Sequence, residues 1–240
     1  MGRSSTLLDK HLHKLGLGLT ADQLLAQLPD NLTLSSIDGV LCLYDRENPL
    51  SQLKVDFIHG SLSYRSKQHL GAENLIKACQ IKGQKQISLL DGTCGLGTDS
   101  FLLHQAGFKV TAVEKNAIIY ALLLDGISRY QQHTSDDSFL KLKLGDLNNQ
   151  LLKENHDVIY LDPMFPTKIK SAKNKKTMQL FQSIHKVAPD DASVLLGKVL
   201  SSACKRVVIK RPIKSPVLTN FKPTFQIIGK TCRFDAYQLA

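Results

Sequence analysis

From Gln86 onward, short apolar runs alternate with helix-like stretches, and three of those runs end in an acid. Ile87–Leu90 leads into Asp91, Lys109–Val113 into Glu114, and Asp157–Leu161 into Asp162. Asp99–Ala106, Ala117–Tyr130, Lys176–Val187 and Ala192–Ser202 read as the intervening helices. Leu140–Leu144, Arg206–Ile209 and Phe225–Ile228 are further strand candidates. Repetition of this kind predicts an α/β fold, a doubly wound parallel sheet with helices on both faces. Ligands of such sheets lie beyond the carboxyl ends of the strands, so acids placed there are the first candidates for function.

The first 85 residues follow a different pattern. Thr20 caps a short helix running to Leu28, and Pro29 closes it. Leu32–Ser35, Gly39–Tyr44 and Leu53–Ile58 read as short strands joined by polar turns, a small antiparallel sheet. A helical stretch lies near Glu73–Cys79. The expected division is a small α+β subdomain over residues 1–70 and a larger domain over 71–240.

No apolar run is long enough for a membrane span, and the N-terminus lacks the apolar segment of a secretory signal. The five cysteines are scattered, with no C-x-x-C pair. That pattern argues against zinc and for reduced thiols in a cytoplasm. The eight histidines show no ligand spacing and are expected on surfaces or in loops.

The net charge of +10 is unevenly spread. Between Pro163 and Phe234 fifteen of the 31 Lys and Arg stand against only Asp190 and Asp191, a net of +13 that leaves −3 for the rest. Such asymmetry points to a polyanionic partner, because basic side chains displace counterions from phosphates.

Asp91-Gly92-Thr93-Cys94-Gly95-Leu96-Gly97-Thr98-Asp99 follows the first strand and opens a helix. Its glycines permit a tight turn and close approach of a ligand to the backbone. The loop resembles a dinucleotide fingerprint, but Ser100 stands where the third glycine would be. Glu114 closes the second strand at the spacing of an acid that binds ribose hydroxyls. Asp91 would repel a pyrophosphate but favour a cationic sulfonium, so S-adenosylmethionine is preferred here over NAD.

Tyr160-Leu161-Asp162-Pro163-Met164-Phe165-Pro166 is the most specific segment. Its prolines stiffen the loop and remove backbone donors. Phe165 can stack on a flat base, and Asp162 with the loop carbonyls can accept hydrogen bonds from an exocyclic amine. This combination suits methylation of an amino group, with Asp162, Pro163 and Phe165 as the catalytic candidates.

These motifs, together with Val113-Glu114-Lys115-Asn116, Lys168–Lys176, Val207–Pro212, Arg233-Phe234-Asp235 and Val55-Asp56-Phe57, resemble the bacterial ribosomal RNA small subunit methyltransferase J family. The likeness runs from about residue 53 to the end. It implies a Rossmann-like methyltransferase sheet with a small N-terminal β-rich subdomain. It also implies transfer of methyl from S-adenosylmethionine to the N2 amine of a guanosine in 16S rRNA, free or in the small ribosomal subunit, in the cytoplasm, with no metal and no membrane. By the same resemblance, cofactor contacts fall at Thr98, Asp99, Glu114, Lys115, Gly145, Asp146 and Asp162, beside Asp91, Gly95 and Gly97 of the loop. Thr98 stands where the family carries arginine, and Gly145-Asp146 where it carries two small hydroxyl residues.

Lys168, Lys170, Lys173, Lys175 and Lys176 directly follow the Asp-Pro segment and read as an RNA phosphate clamp, joined by Lys210 and Arg211 at the end of a later strand. Tyr64, Arg65 and Lys67 are further candidates for contact with RNA or cover over the cofactor. Other readings of the same residues are an amino-methyltransferase for DNA or protein glutamine, an RNA-binding module without catalysis, and an NAD-dependent oxidoreductase.

Overall fold

The computed structural model describes residues 2–151, 153–163, 179–184, 192–218 and 222–239. The chain forms two compact units that interleave along the sequence. One comprises Met1–Ile58, Asn116–Asp137 and Pro166–Val187, the other His59–Lys115, Ser138–Phe165 and Ala188–Ala240.

The first unit contains α1 (Gly2–Lys14), α2 (Ala21–Leu25), a meander of β1 (Leu32–Ile37), β2 (Val40–Asp45) and β3 (Asn48–Leu53), and α6 (Ala117–Thr134). Residues 179–184 of this unit are helical. Thr20 caps α2, as the sequence suggests, and Gln23 caps it back in return, although the helix stops at Leu25. Asp125 of α6, only 1 % exposed, is its polar centre. The Asp125 carboxylate meets His11 Nε2 at 2.8 Å and accepts from Arg129 Nε at 2.9 Å and the Leu41 amide at 3.3 Å. His11 is therefore an interior partner rather than a surface histidine. The third strand lies at Asn48–Leu53, not Leu53–Ile58. Pro49 does not forbid it, because β3 is an edge strand, where a missing N–H costs no ladder bond.

The second unit is built on a seven-stranded sheet ordered β6-β5-β4-β7-β8-β10-β9. Its strands are β4 (Ser88–Asp91), β5 (Lys109–Glu114), β6 (Lys141–Leu144), β7 (Val158–Leu161), β8 (Arg206–Pro212), β9 (Phe225–Ile228) and β10 (Cys232–Gln238). β6, β5, β4, β7 and β8 are parallel, whereas β10 runs antiparallel to β8 and β9. The helices of this unit are α3 (Gly60–Ser66), α4 (Asn74–Cys79), α5 (Thr98–Gln105), α7 (Leu147–Leu151) and α8 (Ala192–Leu200).

Strand pleating sorts the two faces. Leu90, Ile159, Leu161, Val207 and Ile209 form one core cluster with Leu147 of α7 and Leu196 and Val199 of α8. Tyr160 and Lys210 point to the opposite face, where they meet Asp99 of α5. On that face Arg206 donates to the Ala78 and Gln80 carbonyls at the end of α4, the terminus where a cation is favoured. Helices thus cover both faces, as the alternation predicts. Among the described residues, no helix is long and apolar enough to cross a membrane.

β10 is the element that the hydrophobic pattern does not announce. Its buried Arg233 and Asp235 neutralise each other through a two-pronged ion pair of 2.8 and 3.1 Å. Arg233 also donates to the Ile213 and Ser215 carbonyls, each at 2.7 Å. Asp235→Ala would leave a buried guanidinium without its counter-charge. It is expected to cost about 3–5 kcal/mol in urea unfolding. The double replacement Arg233→Met/Asp235→Leu should recover most of that loss.

Candidate active site

The chain enters the sheet at β4, builds outward to β6, and returns to the other side of β4 with β7. The strand order therefore reverses between β4 and β7, the position where open α/β sheets bind ligands. Two loops leave the carboxyl ends of these neighbours, the glycine loop after Asp91 and the Asp-Pro segment after Leu161. The pairing Asp91↔Tyr160 continues past the strands. Gly92 N donates to the Tyr160 carbonyl at 3.0 Å, and Asp162 N donates to Thr93 Oγ1 at 2.6 Å.

The glycine loop is tight for steric reasons. At Gly92 a Cβ would stand 2.6 Å from a Leu147 methyl and 3.0 Å from one of Leu161. Gly97 caps α5 with φ +76°, a conformation that costs other residues about 1–2 kcal/mol. Gly95 also has positive φ, +52°. Its amide donates to Glu114 Oε2 at 3.1 Å, so the acid at the end of β5 holds the loop beside it.

Asp91 is 1 % exposed and faces inward. Its carboxylate accepts from Ser100 Oγ at 2.5 Å and from the Thr93 amide at 3.2 Å, bracing both ends of the loop. Burial pushes its pKa up to about 7, against the opposing hydrogen bonds from Ser100 and Thr93. Ser100, the residue that breaks the dinucleotide fingerprint, is thus the partner of Asp91.

Asp99 and Asp162 face each other across one cation. Lys210 Nζ donates to Asp99 Oδ2 and to Asp162 Oδ2, each at 2.8 Å. The Tyr160 hydroxyl donates to the same Asp99 oxygen at 2.6 Å. Burial raises the Asp162 pKa, Lys210 pulls it down, and Asp99 raises it again. Burial alone would depress Lys210, but the two carboxylates more than offset it and hold the ammonium above its ordinary range.

At the third strand end, Gly145 (φ +144°) donates its amide to the Glu114 carbonyl at 2.9 Å. Asp146 is exposed and its Oδ1 accepts from the Asn148 amide at 2.7 Å. Lys115 and Thr98 are exposed, and Pro163 is buried. The structure therefore places Asp91, Gly95, Gly97, Thr98, Asp99, Glu114, Gly145, Asp146 and Asp162 at the carboxyl ends of adjacent strands, in the loops that follow them and in the first turn of α5. Thr93, Ser100 and Tyr160 were missed by the sequence reading. Tyr160 carries a signal, a phenol in an otherwise aliphatic strand, that could have been read as needing a buried acceptor.

Phe165, Lys168, Lys170, Lys173, Lys175 and Lys176 lie outside the described residues. The other two basic candidates are engaged internally. Lys210 is bridged by the two acids, and Arg211, 4 % exposed, donates to the Pro216 carbonyl at 3.0 Å. Burial, then the nearby Arg233, lowers the Arg211 pKa. Arg65 of α3 pairs with Glu73 at 2.7 and 2.8 Å, while Tyr64 beside it is exposed.

The family described as "Putative SAM-dependent methyltransferase" matches residues 19–239. The ribosomal RNA small subunit methyltransferase J of Aeromonas salmonicida is 39 % identical over 220 residues, 88 % of this chain and 84 % of that one. Its namesake from Alteromonas mediterranea is 41 % identical over 207 residues, 83 % and 80 % of the two chains. The chain belongs to the ribosomal RNA small subunit methyltransferase J family. Among solved structures, a SAM-dependent methyltransferase from Neisseria gonorrhoeae superposes with a TM-score of 0.67 at 30 % identity, covering 88 % of this chain and 84 % of its own.

The family's cofactor is S-adenosylmethionine, and the donor set suits it. Carboxylates of Asp99, Glu114 and Asp162 at neighbouring strand ends fit a ligand with a sulfonium and an ammonium. They do not fit the pyrophosphate of a dinucleotide. The cofactor's positive sulfur makes its methyl group electrophilic.

The buried Asp91 gives a pH signature. Its folded pKa, about 7, lies above the ordinary 3.8. The stability it contributes is therefore complete below about pH 4 and is lost as pH rises to 7. Asp91→Asn should flatten that decline, so its stability relative to wild type should rise by a few kcal/mol over this window. Urea unfolding at three pH values tests this, and parallel curves would refute it.

Proposed function

We propose that this chain transfers a methyl group from S-adenosylmethionine to the exocyclic N2 amine of a guanosine in 16S rRNA, acting in the cytoplasm on free rRNA or on the small ribosomal subunit. The observation that carries the reading is the direct tie between the two loops, Asp162 N to Thr93 Oγ1 at 2.6 Å. It sets the acidic turn beside the glycine loop, so an amine held by the one can meet a donor held by the other. The names of the relatives supply the RNA class.

On this reading the Asp162 carboxylate accepts an N–H of the amine and directs its lone pair toward the methyl carbon. The N–C bond forms as the donor's S–C bond breaks, the neutral thioether S-adenosylhomocysteine leaves, and the proton lost from nitrogen is released to solvent. Pro163 stiffens the turn, and Phe165 stacks on the base. Alignment of this kind supplies up to about 7–11 kcal/mol in ideal intramolecular cases. Thr98, Asp99, Glu114, Lys115, Gly145 and Asp146 line the donor site, with Gly95 and Gly97 admitting the ligand to the backbone. Lys168, Lys170, Lys173, Lys175 and Lys176 hold phosphates of the RNA strand. All of these residues lie within 71–240.

Asp162→Ala is expected to lower methyl transfer by about 100- to 10,000-fold while leaving the melting temperature near wild type. Mass mapping of 16S rRNA incubated with the wild-type enzyme and tritiated cofactor tests the substrate. Label on guanine N2 is the expected result, and labelled DNA or protein with unlabelled rRNA would reject it.

A further inference from the structure

We infer that Lys210 is a positioning residue for the transfer, its ammonium clamping the Asp162 carboxylate to Asp99 on the glycine-loop helix and supplying its counter-charge. The inference builds on the methyl-transfer reading above and gives Lys210 a role other than gripping phosphate.

The geometry is a relay across three elements. Tyr160 on β7 donates to Asp99 on α5, and Lys210 on β8 donates to Asp99 and to Asp162 just beyond β7. The Lys210 side chain is 27 % exposed, and those of Asp99 and Asp162 are 15 % and 35 % exposed. An RNA phosphate would compete for an ammonium that two carboxylates already hold at 2.8 Å. Lys210 also sits on the inward side of its strand, in register with Phe234 of β10.

The charge balance explains why a lysine is needed. Asp162 faces Lys210 from β8, Asp99 from α5, Asp91 from β4 and the Tyr160 hydroxyl from its own strand. Asp99 in turn feels Arg65 of α3, and Glu73 and Cys79 at the two ends of α4. Among the described residues, Lys210 is thus the cation that directly contacts Asp162. Without it the neighbouring acids would favour protonation, and a protonated carboxyl loses capacity to accept from an amine N–H.

The sign of the effect follows. Activity that needs the Asp162 carboxylate falls as pH drops through its pKa. Removal of Lys210 raises that pKa, so the acid limb of the kcat profile moves to higher pH. Lys210→Gln is expected to move it by about one unit or more and to lower kcat near neutrality about tenfold or more. Lys210→Arg keeps the charge and should keep the limb within a few tenths of a unit. Asp99→Asn, read at saturating cofactor, removes a like charge and should move the limb to lower pH.

The experiment is the pH dependence of kcat and of both KM values for the four proteins, with a carbon-13 titration of the Asp162 carboxyl in parallel. The titration needs no RNA substrate, so it tests the Lys210–Asp162 coupling even if the rRNA reading fails. Wild type that modifies no rRNA rejects that reading alone. An unmoved Asp162 titration in Lys210→Gln overturns the inference. So does a Lys210→Gln enzyme that changes only the KM for RNA and its salt dependence, the behaviour of a phosphate contact. If Lys210→Gln does not fold, an Asp99→Asn titration that fails to move downward overturns it instead.

Discussion

The pairing of β4 with β7 is the constraint on which the site depends. Parallel neighbours in fixed register, Leu89↔Val158 through Asp91↔Tyr160, bring two distant loops out of the sheet side by side. The alignment extends beyond the strands through Gly92 N and Thr93 Oγ1, so the loops are held by hydrogen bonds rather than by proximity alone. Around that seam the acids have separate tasks. Asp91 is buried and braces, Glu114 holds Gly95 from the next strand, and Asp99 and Asp162 share Lys210. One residue type at successive strand ends is differentiated by depth and by partner.

The C-terminal excess of positive charge has an unexpected composition. Arg206, Arg211 and Arg233 are each less than 10 % exposed, and Lys210 is bound by two carboxylates. Arg206 caps α4 and lies 5.0 Å above the Phe225 ring, and Arg211 and Arg233 hold the turn after β8. Part of the net charge that suggests a polyanion partner is therefore consumed in holding the sheet together. A count of Lys and Arg along a chain does not separate these uses, because guanidinium groups can be buried when carbonyls and carboxylates meet their donors.

The parallel strands were legible because their apolar runs are short, bounded and followed by acids or glycines. The observed β4, β5, β6 and β7 start and stop within a residue of the positions read from sequence. The Thr20 cap of α2 was legible but the end of the helix was not, since nothing in Ala26–Leu28 forbids another turn. β3 and β10 were not legible. β3 begins next to a proline and leaves Leu50 almost fully exposed, so it has no inward apolar stripe. β10 carries its charge inward, which interrupts the apolar run that marks a buried strand. At the site, motifs revealed the acids but not their partners. Ser100 of α5 and Thr93 of the loop are ordinary hydroxyl residues until the fold shows which carboxylate or amide each one meets.

The order of the last three strands bears on how the protein is made. β10 lies between β8 and β9, although it follows both in the chain. β9 pairs in the sheet with β10, so a ribosome delivers it before its hydrogen-bonding partner exists. Until then β8, which bears Lys210, is an open edge and β9 a stray hydrophobic ribbon. Maturation of the acidic corner is thereby tied to late synthesis, and a nascent chain halted before Cys232 would hold the glycine loop without the strand that steadies Lys210.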